Sequence, residues 1–139
     1  MIVDVLGYYR ARLIALGRRE WRDSTIDACP QNELPRAFHL TPGATTGVSN
    51  NQAHQEMEVA TSVRVPFMPQ RKSTTLTDDA FAFADTVIAD ILNPRNRLTQ
   101  TGLKNVYFKT MELEPTADTN DNGVTIRLDF TALVIISTR

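Results

Sequence analysis

The chain has few of the residues on which metal, redox and nucleophilic chemistry usually depends. Its 139 residues include one cysteine, Cys29, and two histidines, His39 and His54. One cysteine cannot close an intrachain disulfide or supply a cysteine-based metal site. A chain of this length buries about two-thirds of its unfolded surface, so it needs no such crosslink. We therefore expect one domain over residues 1–139, with no cofactor, no metal and no catalytic residues.

An excess of one charge sign and a long hydrophobic run are also lacking. Lys plus Arg number 15 and Asp plus Glu number 16. This balance disfavours a general nucleic-acid or membrane binder. The most apolar stretch, Ala80–Leu92, contains Asp85 and Asp90. It is also shorter than the roughly 20 residues that span a bilayer as a helix. We expect no membrane partner.

The most informative pattern present is the alternation from Val124 to Ile136. Every even position is apolar, and the odd positions begin polar with Thr125, Arg127 and Asp129. Such period-2 patterning predicts a strand with one buried face. At about 3.3 Å per residue it would span roughly 43 Å, against a usual length of about 5 to 6 residues. A strand of this length either bends or reaches a neighbouring subunit, which indicates an assembly protein.

The predicted elements alternate between paired strands and separate helices. They are a helix over 2–19, a short strand over Ala37–Leu40, a long polar loop over Thr41–Gln55, a strand over Met57–Phe67, a helix over Asp78–Leu92, and a strand over Asn105–Glu114 that forms a hairpin with the final strand. Thr77 is the expected N-cap of the second helix. Its expected buried stripe is Phe81, Ala84, Ile88 and Ile91. This order predicts an α+β fold with a mainly antiparallel sheet of long strands and helices packed on one face.

Two sets of residues are candidates for contact with other subunits or proteins. Leu133 and Ile135 make both faces of the final strand apolar, so we expect that end to be covered on both sides. Arg64, Arg127 and Asp129 lie on polar strand faces, where they pair within the sheet or across a subunit boundary. The candidate subunit interface is Met57, Arg64, Arg127, Asp129, Leu133 and Ile135. The candidate docking loops contain Thr45, Thr46, Asn50, Asn51, Asp118, Asn120 and Asn122.

The segment Asp118–Gly123 matches the start of a calcium loop, with Asp129 at its twelfth position. A calcium loop of this class needs a helix after it, whereas residue 124 begins a strand. Asn, Asp and Gly are also ordinary hairpin-turn residues. A hairpin turn is therefore favoured over a calcium site.

For each of the remaining reactive groups, a structural role competes with a chemical or binding role. His39, His54 and Glu56 would be the polar groups of a ligand-binding domain or enzyme, the competing class of function. Cys29 precedes Pro30 without a glycine-rich elbow, which favours an unreactive thiol over a nucleophile. The basic cluster consists of Arg10, Arg12, Arg18, Arg19 and Arg22. It contacts DNA phosphates or an acidic partner in one interpretation and forms a solvated helix face in the favoured one.

The whole chain resembles the tail terminator proteins of long-tailed bacteriophages, also called tail-completion or minor tail proteins. The resemblance rests on organisation. The N-terminal helix ends in Ala-Leu-Gly, and a proline-bearing stretch leads into a short strand, together Pro35–Leu40. The strand Glu56–Phe67 ends in Val-Pro-Phe, and an Asp-Asp-Ala-Phe-Ala-Phe-Ala-Asp helix follows. A hairpin with a long terminal strand closes the chain.

The resemblance implies a structural virion protein rather than an enzyme. Family members form hexameric rings that cap the tail tube, end its polymerisation and join the tail to a head-tail connector or stopper protein. DNA would pass through the lumen without specific binding. The protein would be made in the cytoplasm of the bacterial host and lie at the tail–neck junction of the virion. Neck and head-completion proteins of the same phages are the nearest alternative.

Overall fold

A computed structural model describes most of the chain. Within the sheet and second helix, only the backbone is described at residues 49, 50, 54, 76, 77, 115, 136 and 137. The described residues are 4–22, 26, 29–30, 32–50, 54–67, 76–98, 100, 102–115 and 123–137.

The described residues form a five-stranded sheet with two α-helices. In chain order the elements are α1 (Val5–Ala15), β1 (Arg19–Glu20), a 3-10 turn (Leu34–Arg36), β2 (Ala37–Asn50), β3 (His54–Phe67), α2 (Leu76–Leu92), a second 3-10 turn (Pro94–Arg97), β4 (Leu103–Pro115) and β5 (Val124–Ser137).

The strand order is β1-β2-β3-β5-β4, and only the short β1–β2 pair is parallel. β3 pairs with β5 along its whole length, from His54 opposite Ser137 to Phe67 opposite Val124. β4 and β5 form the expected antiparallel pair. The fold is therefore the α+β arrangement that the sequence predicts, with long strands in a mainly antiparallel sheet.

Both helices pack on one face of this sheet, which we call the inner face. Alternate residues of β3 and β5, among them Val63, Leu128 and Phe130, are buried in one cluster with residues of α1 and α2. The ring of Tyr9 on α1 contacts that of Phe130 at a centroid distance of 5.7 Å. The alternation in β3 and β5 thus defines which sheet face carries the core.

The segment predicted to be a long polar loop is largely a strand. β2 continues past Leu40 to Asn50 and pairs antiparallel with β3. Register shifts occur between Pro42 and Thr45 and between Gly47 and Ser49. Residues 41–48 are all exposed, so no hydrophobic alternation marks this strand. Its geometry comes from pairing with β3 rather than from burial.

The predicted helices differ from the observed ones in where they begin and end. In α2, the buried residues also differ from those predicted. α1 is shorter than residues 2–19, with Asp4 as N-cap and Gly17 at a positive φ of 87° just after its end. α2 begins at Leu76, so Thr77 lies inside the helix and is not its N-cap. The buried stripe of α2 is Ala80, Ala84, Val87 and Ile91, whereas Phe81 is 48% exposed. Two alanines allow the helix backbone to approach the sheet closely.

Candidate functional site

The face of the sheet opposite the helices carries most of the candidate interface residues. We call it the outer face. The β3–β5 register places Ser62 opposite Asp129, Arg64 opposite Arg127 and Glu58 opposite Leu133. Met57 is different, because it pairs with Val134 and packs against the core on the inner face. The sequence-predicted set is therefore divided between the two faces.

Arg127 is the centre of a charged network on the outer face. Its Nη2 lies 2.7 Å from Glu112 Oε2, and its Nη1 lies 3.4 Å from Glu114 Oε2. Its Nε lies 3.4 Å from Asp129 Oδ2. Burial opposes the charge of Arg127, but the three carboxylates outweigh this effect and raise its pKa above the usual range. The three carboxylates that pair with Arg127 therefore all belong to its own subunit.

Asp129 accepts hydrogen bonds from hydroxyls on both neighbouring strands. Ser62 Oγ on β3 lies 2.7 Å from Asp129 Oδ1, and Thr110 Oγ1 on β4 lies 2.5 Å from Asp129 Oδ2. Burial alone would raise the pKa of Asp129. These hydrogen bonds and the charge of Arg127 lower it below its usual range. Asp129 thus stays ionised and links three strands.

Arg64 on β3 connects this network to β2. Its Nε lies 3.3 Å from Glu114 Oε1, and its Nη1 lies 3.1 Å from Thr41 Oγ1 on β2. The sequence left open whether Arg64, Arg127 and Asp129 pair within the sheet or across a boundary. The structure shows that all three have partners within the subunit.

The other end of the outer face is more apolar. Leu133 and Ile135 are half-buried there, opposite Glu58 and Glu56 of β3. Tyr107 of β4 lies opposite Thr131 and is 43% exposed. Lys104 Nζ lies 3.1 Å from Glu56 Oε1 at this end. Apolar side chains with a charged border are typical of a surface that binds another protein.

The candidate docking residues have different positions. Thr45 and Thr46 lie on β2, opposite Val59 and Glu58, and both are exposed. Asn50 ends β2 opposite Gln55. The other four, Asn51, Asp118, Asn120 and Asn122, lie outside the described residues, as does most of the calcium-loop match.

Most of the predicted basic cluster has structural partners. Arg12 forms a two-pronged ion pair with Asp90 of α2, at 2.9 Å and 2.8 Å. Arg10 and Arg22 both bind Glu20. Arg18 donates hydrogen bonds to carbonyl oxygens, including Pro66 O at 3.0 Å, and burial lowers its pKa. These contacts within the subunit disfavour a free phosphate-binding cluster, and they also differ from the solvated helix face that the sequence favoured.

A cavity of about 820 Å³ adjoins β1 and the segment that precedes β2. Arg19, Trp21, Arg22 and Arg36 are among the residues that line it. Cys29 also lines it and is buried, and burial is the main cause of the raised pKa of its thiol. A raised pKa disfavours the reactive thiolate. The sequence did not predict this cavity, because Arg36 comes close to Arg19 only when β1 pairs with β2.

Of the two histidines, the structure describes the side chain of His39. His39 Nδ1 lies 2.8 Å from the backbone oxygen of Trp21. The side chain of His54 is outside the described part of the structure. Among the described residues, no three His, Cys, Asp or Glu side chains are grouped so that they could hold a metal ion.

A scan against protein-family models and a search of curated proteins found no match to this chain. Within the part of the chain that the structure describes, no helix has the length and apolar character needed to cross a bilayer.

Proposed function

We propose that the protein is a structural, non-enzymatic component of a phage tail–neck junction, and specifically the tail terminator. Subunits would form a ring, with six as the expected number, that caps the tail tube and ends its polymerisation. The observation that carries the proposal is the outer face, where half-buried Leu133 and Ile135 lie beside an ordered charged network.

The two halves of the outer face would have different roles in a ring. Leu133 and Ile135 would lose further exposed apolar area when a neighbouring subunit covers them, which favours association by about 25 cal/mol per Å². The network around Arg127 is already neutralised by its own carboxylates. Its desolvation would therefore cost less than that of an unpaired charge, and its fixed geometry would select the correct neighbour.

A ring of this kind ends polymerisation because its two open sides differ. One side would match the end of the tail tube, while the other would present a surface that tube subunits do not recognise. That second side would bind the head-side connector or stopper protein. DNA would pass through the lumen without specific contacts, and the protein would lie at the tail–neck junction of the virion.

Light scattering of the purified protein, alone and with the tail-tube protein of the same phage, tests this proposal. We expect either a ring mass or a smaller species that becomes a ring on tube ends. Leu133→Lys should prevent ring formation while the subunit stays folded, because Glu58 lies opposite position 133 and can pair with the lysine. Ala82→Lys, at an exposed position of α2, is the control for added charge.

A protein that stays monomeric with tube ends present contradicts the ring. Ring formation by Leu133→Lys to the same extent as the parent contradicts the interface. A ring that binds the connector and not the tube identifies a neck or head-completion protein instead.

The cavity beside Trp21 supports a second candidate function, a small-molecule binding domain. Glu20 and Glu33 line it too, and Glu20 already pairs with Arg22. Arg19, Arg36 and the indole ring would bind a small aromatic anion through charge-assisted hydrogen bonds and stacking. A panel of aromatic carboxylates and nucleotides, measured by thermal shift, tests this candidate. A rise in melting temperature that Arg36→Gln abolishes would support it, and no rise with any compound would reject it.

A further inference from the structure

The indole ring of Trp21 is fixed at the cavity that adjoins β1. The Trp21 N–H donates a hydrogen bond to Phe38 O at 2.8 Å, and the Trp21 backbone oxygen lies 2.8 Å from His39 Nδ1. The side chain is half-buried against a small apolar cluster made of Ile26, Cys29, Leu34 and Ala37. Little side-chain entropy is therefore lost when a flat ligand stacks on this ring.

The charged side chains that line the cavity are of two kinds. Glu20 is already paired, because its Oε1 lies 2.8 Å from Arg22 Nε. Arg19, Glu33 and Arg36 also line the cavity and are exposed. Within the described residues, these three side chains form no ion pair. Two cations and one carboxylate therefore remain available to a ligand.

Glu33 and Arg36 lie at the two ends of one tight turn. The Glu33 N–H donates to Pro30 O at 2.9 Å, and the Arg36 N–H donates to Glu33 O at 3.0 Å. Residues three apart in a 3-10 turn lie on the same side of the backbone, so a carboxylate and a guanidinium are neighbours here without pairing with each other. Burial and, after it, the charge of Glu33 raise the pKa of the Cys29 thiol in the cavity wall. The Glu33 carboxylate is therefore close to that wall.

A ligand that fits this arrangement has neighbouring opposite charges and an aromatic ring. A simple aromatic carboxylate would satisfy Arg36 but would bring its own negative charge close to Glu33, which costs binding energy. A nucleotide separates its phosphate from the amino group of its base by a sugar, which is a poor match for two groups on one turn. An aromatic α-amino acid carries a carboxylate and an ammonium on the same carbon, with a flat ring one methylene away.

We infer that the cavity binds an aromatic α-amino acid as its zwitterion. The carboxylate would accept hydrogen bonds from Arg36 and Arg19, the ammonium would donate to Glu33, and the ring would stack on Trp21. The cavity volume of about 820 Å³ lies within the usual range of small-molecule sites. The inference rests on the small-molecule candidate function and names the ligand class of that cavity. It is independent of the proposed ring.

Calorimetric titration with three ligands that share an indole ring separates the two charges. L-Tryptophan carries both charged groups, indole-3-propionate has only the carboxylate, and tryptamine has only the ammonium. We expect the parent to bind L-tryptophan about tenfold more tightly than either of the others, because each of them lacks one charge-assisted hydrogen bond.

Two substitutions on the turn assign each charge to a residue. Glu33→Gln should weaken the binding of L-tryptophan about tenfold and leave that of indole-3-propionate unchanged or tighter. Arg36→Gln should weaken the binding of both acids and leave that of tryptamine unchanged. Arg95→Gln, which removes an exposed arginine from the other 3-10 turn, should leave all three affinities unchanged. Melting temperatures without ligand check that each variant is folded.

The inference and the candidate function on which it rests can fail separately. If L-tryptophan and indole-3-propionate bind equally well and Glu33→Gln changes neither affinity, the aromatic-anion site stands and the amino-acid inference is overturned. Binding of adenosine monophosphate without binding of L-tryptophan also overturns it and identifies a nucleotide site. If none of these compounds binds, both the inference and the candidate function are overturned.

Discussion

Arg64 and Arg127 lie directly opposite each other on β3 and β5, and Glu114 of β4 binds both guanidinium groups. Like charges opposite each other on neighbouring strands destabilise a sheet. Glu114 offsets this repulsion with one carboxylate, at 3.3 Å from Arg64 Nε and 3.4 Å from Arg127 Nη1, while Glu112 and Asp129 pair with Arg127 alone. Ion pairs thereby connect the edge strand β4 to β3 and β5.

Replacing Glu114 with Gln should lower the free energy of unfolding by about 1 kcal/mol, because it leaves the two arginines facing each other. Adding Arg64→Gln should restore part of this loss, since the repulsion is then absent. Urea unfolding of the parent, both single variants and the double variant measures the coupling. Strictly additive losses would show that Glu114 does not mediate between the arginines.

The stability of the protein should fall at acid pH partly through Asp129. Its pKa in the folded protein lies below its usual range, whereas the unfolded value is about 3.9. The ionised carboxylate therefore stabilises the fold above about pH 4, and this contribution is lost as the pH falls through the lowered pKa. Melting temperatures from pH 7 to pH 2 should decrease less for Asp129→Asn than for the parent. Asp85→Asn, at an exposed helix position, should follow the parent curve.

The long strands were predictable because burial imposes a period on them. β3 and β5 each have one face in the core, so the alternation of apolar residues gave their extent to within a few residues. β2 beyond Leu40 has no buried face, and Pro42, Gly43 and Gly47 are typical of loops. Its strand geometry depends on β3, which no local pattern in residues 41–50 reveals.

The partners in the charged network were not predicted from the sequence, because β4 contains two register shifts. The second shift, between Phe108 and Thr110, moves the inner-face residues from Val106 and Phe108 to Met111 and Leu113. This change from even to odd positions was a usable signal of a bulge. Only after that shift do Glu112 and Glu114 lie beside Arg127.

The effect of a Gly7 substitution on the free energy of unfolding should depend on Asp4, which caps α1. Asp4 Oδ1 accepts a hydrogen bond from the Gly7 N–H at 2.8 Å, and a Cβ at position 7 would collide with that carboxylate. Gly7→Ala in an Asp4→Ala background should raise the free energy of unfolding by about 1 kcal/mol. In the parent the gain should be smaller or negative, since the cap is disturbed. Thermal unfolding of the four proteins measures this difference, and equal effects in both backgrounds would contradict the proposed clash.

Beside the buried hydrogen bond that Tyr8 Oη donates to Ile91 O at 2.5 Å, the ion pair between Arg12 and Asp90 joins α1 to α2. Both side chains are largely buried, with 24% and 18% exposed, and the carboxylate hydrogen bond raises the pKa of Arg12. Arg12→Lys keeps the charge but loses the two-pronged geometry, so we expect it to lose about 1 kcal/mol of unfolding free energy, and Arg12→Ala more. Urea unfolding checks this order. Arg95→Ala, which removes an exposed arginine, should cost less than about 0.5 kcal/mol. A lysine variant as stable as the parent would show that the paired hydrogen bonds of Arg12 add nothing to its charge.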